Sequence, residues 1–189
     1  LLKKNNVPTP KTYFSFSSES AAENLEKVGF PLVIKPVIGS WGRGVLPLKD
    51  RDTMEAVFEI RDITDSPHDR IYYLQEIVQR PPRDIRVITV GDEPIAAMYR
   101  KSSGGFKTNI ALGADPELCE ITKEMEDLAA KASKAMGGGI LGIDMMEDEK
   151  RGLVVHEVNN TVEFKGLSKV AKRNIPKEMI EFAINYVRK

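Results

Sequence analysis

Two rhythms of apolar residues run along the chain, one of period two and one of period three to four, and they divide it into strands and helices. The opening "LLKKNNVPTP" reads as the last turn of a helix running into a proline-rich connection. "TYF" (12–14) is a strand, and Ser20 with Glu23 has capping-box spacing ahead of Leu25 and Val28, with Gly29 placed to end that helix. "PLVIKPV" (31–37) is a β-branched strand, "VLPL" (45–48) resumes extended structure, Asp52 opens a helix carrying Met54, Val57 and Phe58, and "RIYYLQEIV" (70–78) is a buried strand.

From Asp84 the pattern turns antiparallel. "DIRVITVG" and "EPIAAMYRK" alternate on either side of Gly91 and Asp92, a hairpin signal. Asp115 and Pro116 predict the cap of a helix with Leu118, Ile121, Met125, Leu128, Ala132 and Met136 at helical spacing, ended by Gly137. "GILGIDMME" (139–147) and "GLVVHEVN" (152–159) predict a second hairpin, and a last helix starts at Pro176 with Met179, Ile180, Ala183 and Val187 on one face. The expectation is an α+β protein of two lobes, 1–78 and 79–189.

Composition narrows the function. The 189 residues carry 28 basic and 28 acidic side chains, scattered rather than blocked, so no long-range field points to nucleic acid or a membrane surface, and an anionic ligand has to be gripped locally. Clustered surface aromatics for base stacking are also missing from the pattern. The single cysteine, Cys119, excludes an internal disulfide and a thiolate metal site of its own. No apolar run approaches the roughly 18 residues of a membrane span, and the N-terminus lacks the form of a signal peptide. A cytoplasmic protein is expected. The absence of an initiator Met suggests a piece of a longer protein.

"IKPVIGSWGRGV" (34–45) sets Lys35 ahead of Gly39, Gly42 and Gly44. Backbone N–H groups in such a loop approach phosphate oxygens closely, and a neighbouring lysine supplies a compact charge. The segment is neither a Walker A loop nor a dinucleotide fingerprint, because it lacks Gly-Lys-Ser/Thr and no helix follows Gly44. A plain hairpin turn fits it equally well, with Trp41 and Arg43 tilting the balance toward an anion.

A second constellation carries more weight. Asp144 interrupts an apolar strand, and Glu157 and Asn159 stand two apart on the facing one, so all three can meet over one patch. Oxygen ligands without His or Cys suit a hard cation, and Mg²⁺ on a few such oxygens completes its shell with water and phosphate. Solvated charges on an open sheet face are the alternative, and the cost of burying a carboxylate weighs against it. His68 and His156 have no second ligand at metal spacing. Asp84 and Arg86 also stand two apart, after "LQEIVQ", and Arg86, Arg100, Lys107 and Asn109 add cationic and amide donors that a carboxylate and an acyl phosphate would attract.

Taken in order, "VIKP", "GSWGRGV", "QEIV" with "RDIRV", "YRKSSGGFKTNIALG", "GIDMME" and "HEVNNTVEFKG" resemble the ATP-grasp superfamily across nearly the whole chain. Within it the chain looks most like the RimK-type ligases, and "EVNNTVEFKG" and "GSWGRGV" look closer still to the LysX and ArgX group, which joins 2-aminoadipate or glutamate to a small acidic amino-group carrier protein, LysW. The resemblance implies two lobes with antiparallel sheets and flanking helices clasping ATP. It implies ATP contacts at Lys35, at Ser40, Trp41, Gly42, Arg43 and Gly44 of the flap, at Glu76, Ile77 and Val78 for adenine, and at Asp84 for ribose. It likewise implies Mg²⁺, as two ions, on Asp144, Glu157 and Asn159. Arg100 and Asn109 would lie near the transferred phosphate, and the substrate would meet Arg86, Arg100, Asn109, Asn160, Thr161, Phe164 and Lys165.

The implied reaction is ADP-forming amide synthesis through an acyl phosphate, in lysine or arginine biosynthesis, by a cytoplasmic homo-oligomer with no nucleic acid or membrane partner. The family's N-terminal lobe, and an ATP-contacting lysine that precedes this domain, are not in the chain. Rival readings are a RimK-type ligase adding glutamate to a ribosomal protein or cofactor tail, and a non-catalytic nucleotide-binding protein of the same fold, like the synapsins. Lys165, Lys169, Lys172 and Arg173 make a local basic cluster suited to an acidic carrier, or a solvated helix face.

Overall fold

The structure, a computed structural model, describes residues 1–39, 42–64, 66–101 and 116–188. Its chain divides into two units, Pro10–Val78 and the combination of Leu1–Thr9 with Gln79–Lys189. The first nine residues, expected with the N-terminal lobe, therefore belong with the second unit. They make a three-residue 3₁₀ turn, Lys3–Asn5, closed by Asn6 at φ 54°, a left-handed position that asparagine tolerates. Val7 then enters the second unit's core at 3 % exposure, and the N–H of Val155 donates to Pro8 O at 2.8 Å.

In the unit Pro10–Val78, strands β1 (Thr12–Ser15), β2 (Leu32–Lys35), β3 (Leu46–Leu48) and β4 (Tyr72–Glu76) form an antiparallel sheet in the order β1-β4-β2-β3. Helices α1 (Ser18–Val28) and α2 (Arg51–Asp62) bury Ala21, Leu25, Met54 and Phe58 against Leu32, Ile34, Leu48, Tyr72 and Leu74. Each large aliphatic so buried contributes roughly 1.5–3 kcal/mol, which explains why the alternation of "LVIK" and "YYLQE" fixes which face is core. The caps lie slightly before the predicted ones. Ser17 Oγ accepts from Ser20 N at 3.2 Å, and Asp50 Oδ1 accepts from Thr53 N at 2.8 Å.

The other unit is built on a five-stranded antiparallel sheet, order β7-β6-β5-β8-β9, from β5 (Arg83–Val90), β6 (Glu93–Lys101), β7 (Pro116–Cys119), β8 (Ile140–Asp148) and β9 (Gly152–Asn159). Helix α3 (Lys123–Met136) packs Met125, Leu128, Ala129 and Ala132 on one face, over Ile85, Val87, Ile143, Met145 and Val155. A smaller cluster of Ile88, Ile95, Ala96, Met98, Leu167 and Ile175 joins the opposite face to α4 (Lys165–Ser168) and α5 (Ile175–Val187).

Three expectations change here. The helix predicted from Pro116 begins at Lys123 instead, capped by Thr122 Oγ1 accepting from Met125 N at 3.2 Å. Pro116–Cys119 pairs with β6, which would otherwise be a sheet edge, and Leu118 is 38 % exposed. Helical spacing of 118, 121 and 125 was therefore coincidental. In α5 only Ile175 is buried, while Ile180 and Val187 of the predicted apolar face are exposed. Asp115 lies outside the described residues.

Candidate active site

On the sheet face opposite α3, registry gathers charged residues from four adjacent strands. Asp84 stands opposite Arg100, Arg86 opposite both Met98 and Asp144, Asp144 opposite Glu157, and Gly142 opposite Asn159. A β-bulge makes this possible. The β8–β9 register slips between Asp144 and Met145, so Glu157 faces Asp144 while Val155 faces Met145, and His156 is the extra residue. Leu153 and Val155 point into the α3 core, Val158 packs against that same core, and Glu157 and Asn159 are thereby turned to the polar face. The three residues predicted to meet do so across β8 and β9.

Asp144 is 5 % exposed and shared by two arginines. Arg86 Nη2 donates to Asp144 Oδ2 at 3.0 Å, while Arg86 Nε at 2.5 Å and Arg100 Nη2 at 3.1 Å make ion-pair contacts with Oδ1. The contacts to Oδ1 lack hydrogen-bond alignment. Asp144 Oδ1, Arg86 Nε and, one row along, Asn159 Nδ2 are buried with no hydrogen-bond partner. Burial pushes the Asp144 carboxyl up, with Arg100 and Arg86 opposing. Burial likewise works against the charge of Arg100, but the carboxylates of Asp144 and Asp84 hold it above the ordinary arginine range. Burial pulls Arg80 down.

Asp84, expected at the ribose, has both carboxylate oxygens on Arg100, Oδ1 at 2.5 Å from Nε and Oδ2 at 2.8 Å from Nη2. At 4 % exposure it orients that arginine in this structure. Gly142, absent from the expected site residues, leaves room for Arg86: a Cβ there would sit 2.7 Å from Arg86 Nη1. Its signal was a glycine inside a strand, two positions before the buried acid.

The hard-cation reading is tested by these atoms. Among the described residues no group of three or more His, Cys, Asp or Glu is placed to hold a metal. The set at hand is instead two carboxylates and one amide. An Asp144 oxygen held only by ion-pair contacts, beside exposed Glu157 and half-buried Asn159, fits a Mg²⁺ that takes its other ligands from phosphate and water, provided Arg86 yields Oδ1.

The remaining expected site residues lie in both units. In the unit Pro10–Val78, Lys35 Nζ donates to Gln75 Oε1 at 2.5 Å and stands 5.8 Å from the Tyr73 ring centre. Gly42, Arg43 and Gly44 form a turn with the glycines at φ 67° and 70°, and Ser40 and Trp41 lie outside the described residues. Glu76 N–H donates to Lys11 O at 3.0 Å, so that donor is already used, whereas Ile77 and Val78 follow the end of β4. In the other unit Asn160 and Thr161 are exposed beyond β9, and Lys165 is exposed at the start of α4. Phe164 packs on the Ile88–Leu167 cluster. Asn109 and Lys107 lie outside the described residues.

Known proteins of this kind are numerous. Two alpha-aminoadipate–LysW ligases, LysX of Saccharolobus solfataricus and of Sulfurisphaera tokodaii, are 40 % and 42 % identical over 189 residues, covering all of this chain and 69 % and 66 % of theirs. A tetrahydromethanopterin:alpha-L-glutamate ligase of Methanocaldococcus jannaschii is 38 % identical over 190 residues, covering 99 % of this chain and 64 % of its own. Among solved structures, the ATP-grasp ligase PsnB complexed with minimal precursor matches with a TM-score of 0.72 at 22 % identity, over 97 % of this chain and 56 % of that one, a likeness of fold. The chain thus spans about two thirds of the length of its curated relatives. Residues 1–183 match the profile described as a RimK-like ATP-grasp domain, and the chain belongs to that family.

Proposed function

We propose that this chain is the ATP-binding and metal-binding part of an ADP-forming ligase that joins 2-aminoadipate, or glutamate, to the terminal carboxylate of a small acidic carrier protein. The observation that carries the reading is the buried trio Arg86 Nε, Asp144 Oδ1 and Asn159 Nδ2 on three adjacent strands, polar atoms with no hydrogen-bond partner, the first two held only as an ion pair. Such atoms cost free energy in the empty protein and are retained where a ligand completes them. Two donors and one acceptor match a phosphate with a cation beside it. The identity of 40 % and 42 % to LysX over the whole chain supports the aminoadipate–carrier assignment.

In this scheme Asp144, Glu157 and Asn159 hold Mg²⁺, which when bound offsets the charge of the transferred phosphoryl group. Lys35 and the turn at Gly42, Arg43 and Gly44 bind ATP phosphates, and the backbone at Ile77 and Val78 reads adenine. The acceptor carboxylate takes the γ-phosphoryl group of ATP to give an acyl phosphate and ADP. The amino group of the amino acid then attacks that carbonyl, phosphate leaves, and an amide results. Arg100, held by Asp84, keeps a fixed positive charge at the reacting oxygens, and Arg86 leaves Asp144 Oδ1 to meet substrate. Asn109 assists at the phosphate, with Asn160, Thr161, Phe164 and Lys165 lining the amino-acid side. No enzyme nucleophile takes part.

For the carrier, Lys165, Lys169 and Lys172 are exposed cations. Arg173 is engaged by Glu93 at 2.6 Å and Glu178 at 2.9 Å, so the basic cluster is smaller by that arginine than its sequence. A second reading, glutamate added to a cofactor tail, is favoured by the 38 % identity to the tetrahydromethanopterin ligase. The full-length protein given ATP, Mg²⁺, carrier and each amino acid should release ADP and add one residue of mass to the carrier. Asp144→Ala and Glu157→Ala should each abolish both signals. ADP release without mass gain on the carrier defeats the reading, as does undiminished turnover in either variant.

A further inference from the structure

Gln75 is an unusual residue for its place. It interrupts the apolar strand "YYLQE", is 3 % exposed, and lies on the sheet face away from α1 and α2, where Thr12, Phe14, Val33, Lys35 and Tyr73 also stand by register. A buried amide needs all its hydrogen bonds, and here each end has them. Nε2 donates to Thr12 Oγ1 at 3.0 Å and to the Tyr73 hydroxyl at 3.3 Å. The Thr12 hydroxyl gives its own proton to Pro10 O at 3.0 Å, so toward Gln75 it is an acceptor only. That fixes the amide: nitrogen faces Thr12 and Tyr73, and Oε1 faces Lys35 Nζ, 2.5 Å away.

We propose that Gln75 is a positioning residue for Lys35, a neutral acceptor that fixes the ammonium for an ATP phosphate without cancelling its charge. The inference rests on the nucleotide reading of Lys35 given above. The choice of amide over carboxylate is what the chemistry singles out. Glutamate has the same length and the same reach, and in this buried setting it would form an ion pair with Lys35. The pair would hold the lysine equally well and oppose an incoming triphosphate. An apolar residue of that length would remove this contact to the long, flexible lysine, and more of its ordering would then be a cost of binding. Thr12 acts one step back, by setting which end of the amide meets the lysine.

A double-mutant cycle on the full-length protein tests this, with ATP affinity read by calorimetric titration in excess Mg²⁺ and the melting temperature recorded beside it. Gln75→Met should weaken ATP about tenfold, as expected for one charge-assisted hydrogen bond, and Gln75→Glu at least as much, with the melting temperature of Gln75→Glu unchanged or raised. In a Lys35→Met background, Gln75→Met should cost nothing further. Thr12→Val should weaken ATP in the same direction by a smaller factor, and it carries the cycle if Gln75→Met does not fold. A Gln75→Met loss of equal size with and without Lys35 overturns the inference, as does wild-type affinity in Gln75→Glu. If Lys35→Met alone leaves ATP affinity unchanged, the nucleotide reading of Lys35 falls, and the role of Gln75 falls with it.

Discussion

Replacing Arg100 by methionine tests the electrostatics of the polar face most directly. Methionine keeps the length of the buried stem and removes three contacts, at 2.5 and 2.8 Å to Asp84 and 3.1 Å to Asp144. Two carboxylates, 4 % and 5 % exposed, are then left with one fewer cation, and Asp84 loses its bidentate partner altogether. Removing one member of a buried ion pair costs about 3–5 kcal/mol, because the remaining charge is uncompensated. For a chain of this size that is a fall of about 6–20 °C in melting temperature, read on the transition of the unit that contains Gln79–Lys189. The pH dependence supplies the sign. Burial already raises the Asp144 carboxyl, and Arg100 is the largest opposing cause. A folded-state value above the unfolded one contributes stability that is full below the unfolded value and is lost as pH rises through the folded value. Without Arg100 that loss deepens, so the deficit of Arg100→Met should be greatest near pH 8 and shrink toward pH 4. Scanning calorimetry at several pH values, without divalent cation, measures it. A deficit under about 1 kcal/mol at pH 8, or one constant with pH, refutes the reasoning.

Three further outcomes follow from contacts described above. Gly142→Ala places a Cβ 2.7 Å from Arg86 Nη1, so the guanidinium should leave its seat and ADP formation should fall about tenfold while the melting temperature moves by under about 3 °C. Equal activity would show that the seat of Arg86 is unimportant. Burial and the hydrogen bond to Asp62, 2.5 Å, push the Tyr72 hydroxyl up to about 12, so stability present below pH 10 should be lost as pH rises toward 12. Tyr72→Phe should lower stability by about 1 kcal/mol at pH 8 and flatten that alkaline limb in a urea titration series. Ile143, a fully buried β8 residue packed with α3, should cost about 2–5 kcal/mol on truncation to alanine, measured by urea unfolding, with the polar face intact if activity is scaled to folded protein.

Much of the sheet architecture was legible because its cues are local. The Gly91–Asp92 hairpin, the Gly29 and Gly137 helix ends, and the β-branched runs of β2 and β9 each carry their own backbone preference. What was misread depended on partners far along the chain. Pro116–Cys119 is a strand because β6 offers it an edge, and nothing inside four residues reports that edge. Asp144, Glu157 and Asn159 could be selected as a set because acids inside apolar strands are expensive to bury. The fate of Asp144 could not, since its arginine partners arrive from β5 and β6, 58 and 44 residues earlier in sequence by subtraction from Arg86 and Arg100. Asp84 likewise looked like an open hydrogen-bond acceptor until the β5–β6 register set Arg100 opposite it. Gln75 was hidden for a related reason. An amide within an apolar strand marks a buried network, but only the fold reveals that the network ends on Lys35.

His156 makes the count of residues in β9 a chemical quantity. A strand has two sides, and the chain normally changes side at every step. The extra residue shifts that parity once, between Val155 in the α3 core and Glu157 beside Asp144. Were His156 to take an ordinary place in the alternation, Glu157 would turn toward the packed leucines and methionines and Val158 would meet the polar face, whereas a chain without it would alternate through Val155, Glu157, Val158 and Asn159 with the acid and the amide still on the polar face. A substitution at His156 leaves that arithmetic alone. The side taken by Glu157 and Asn159 therefore depends on the chain holding His156 out of the alternation.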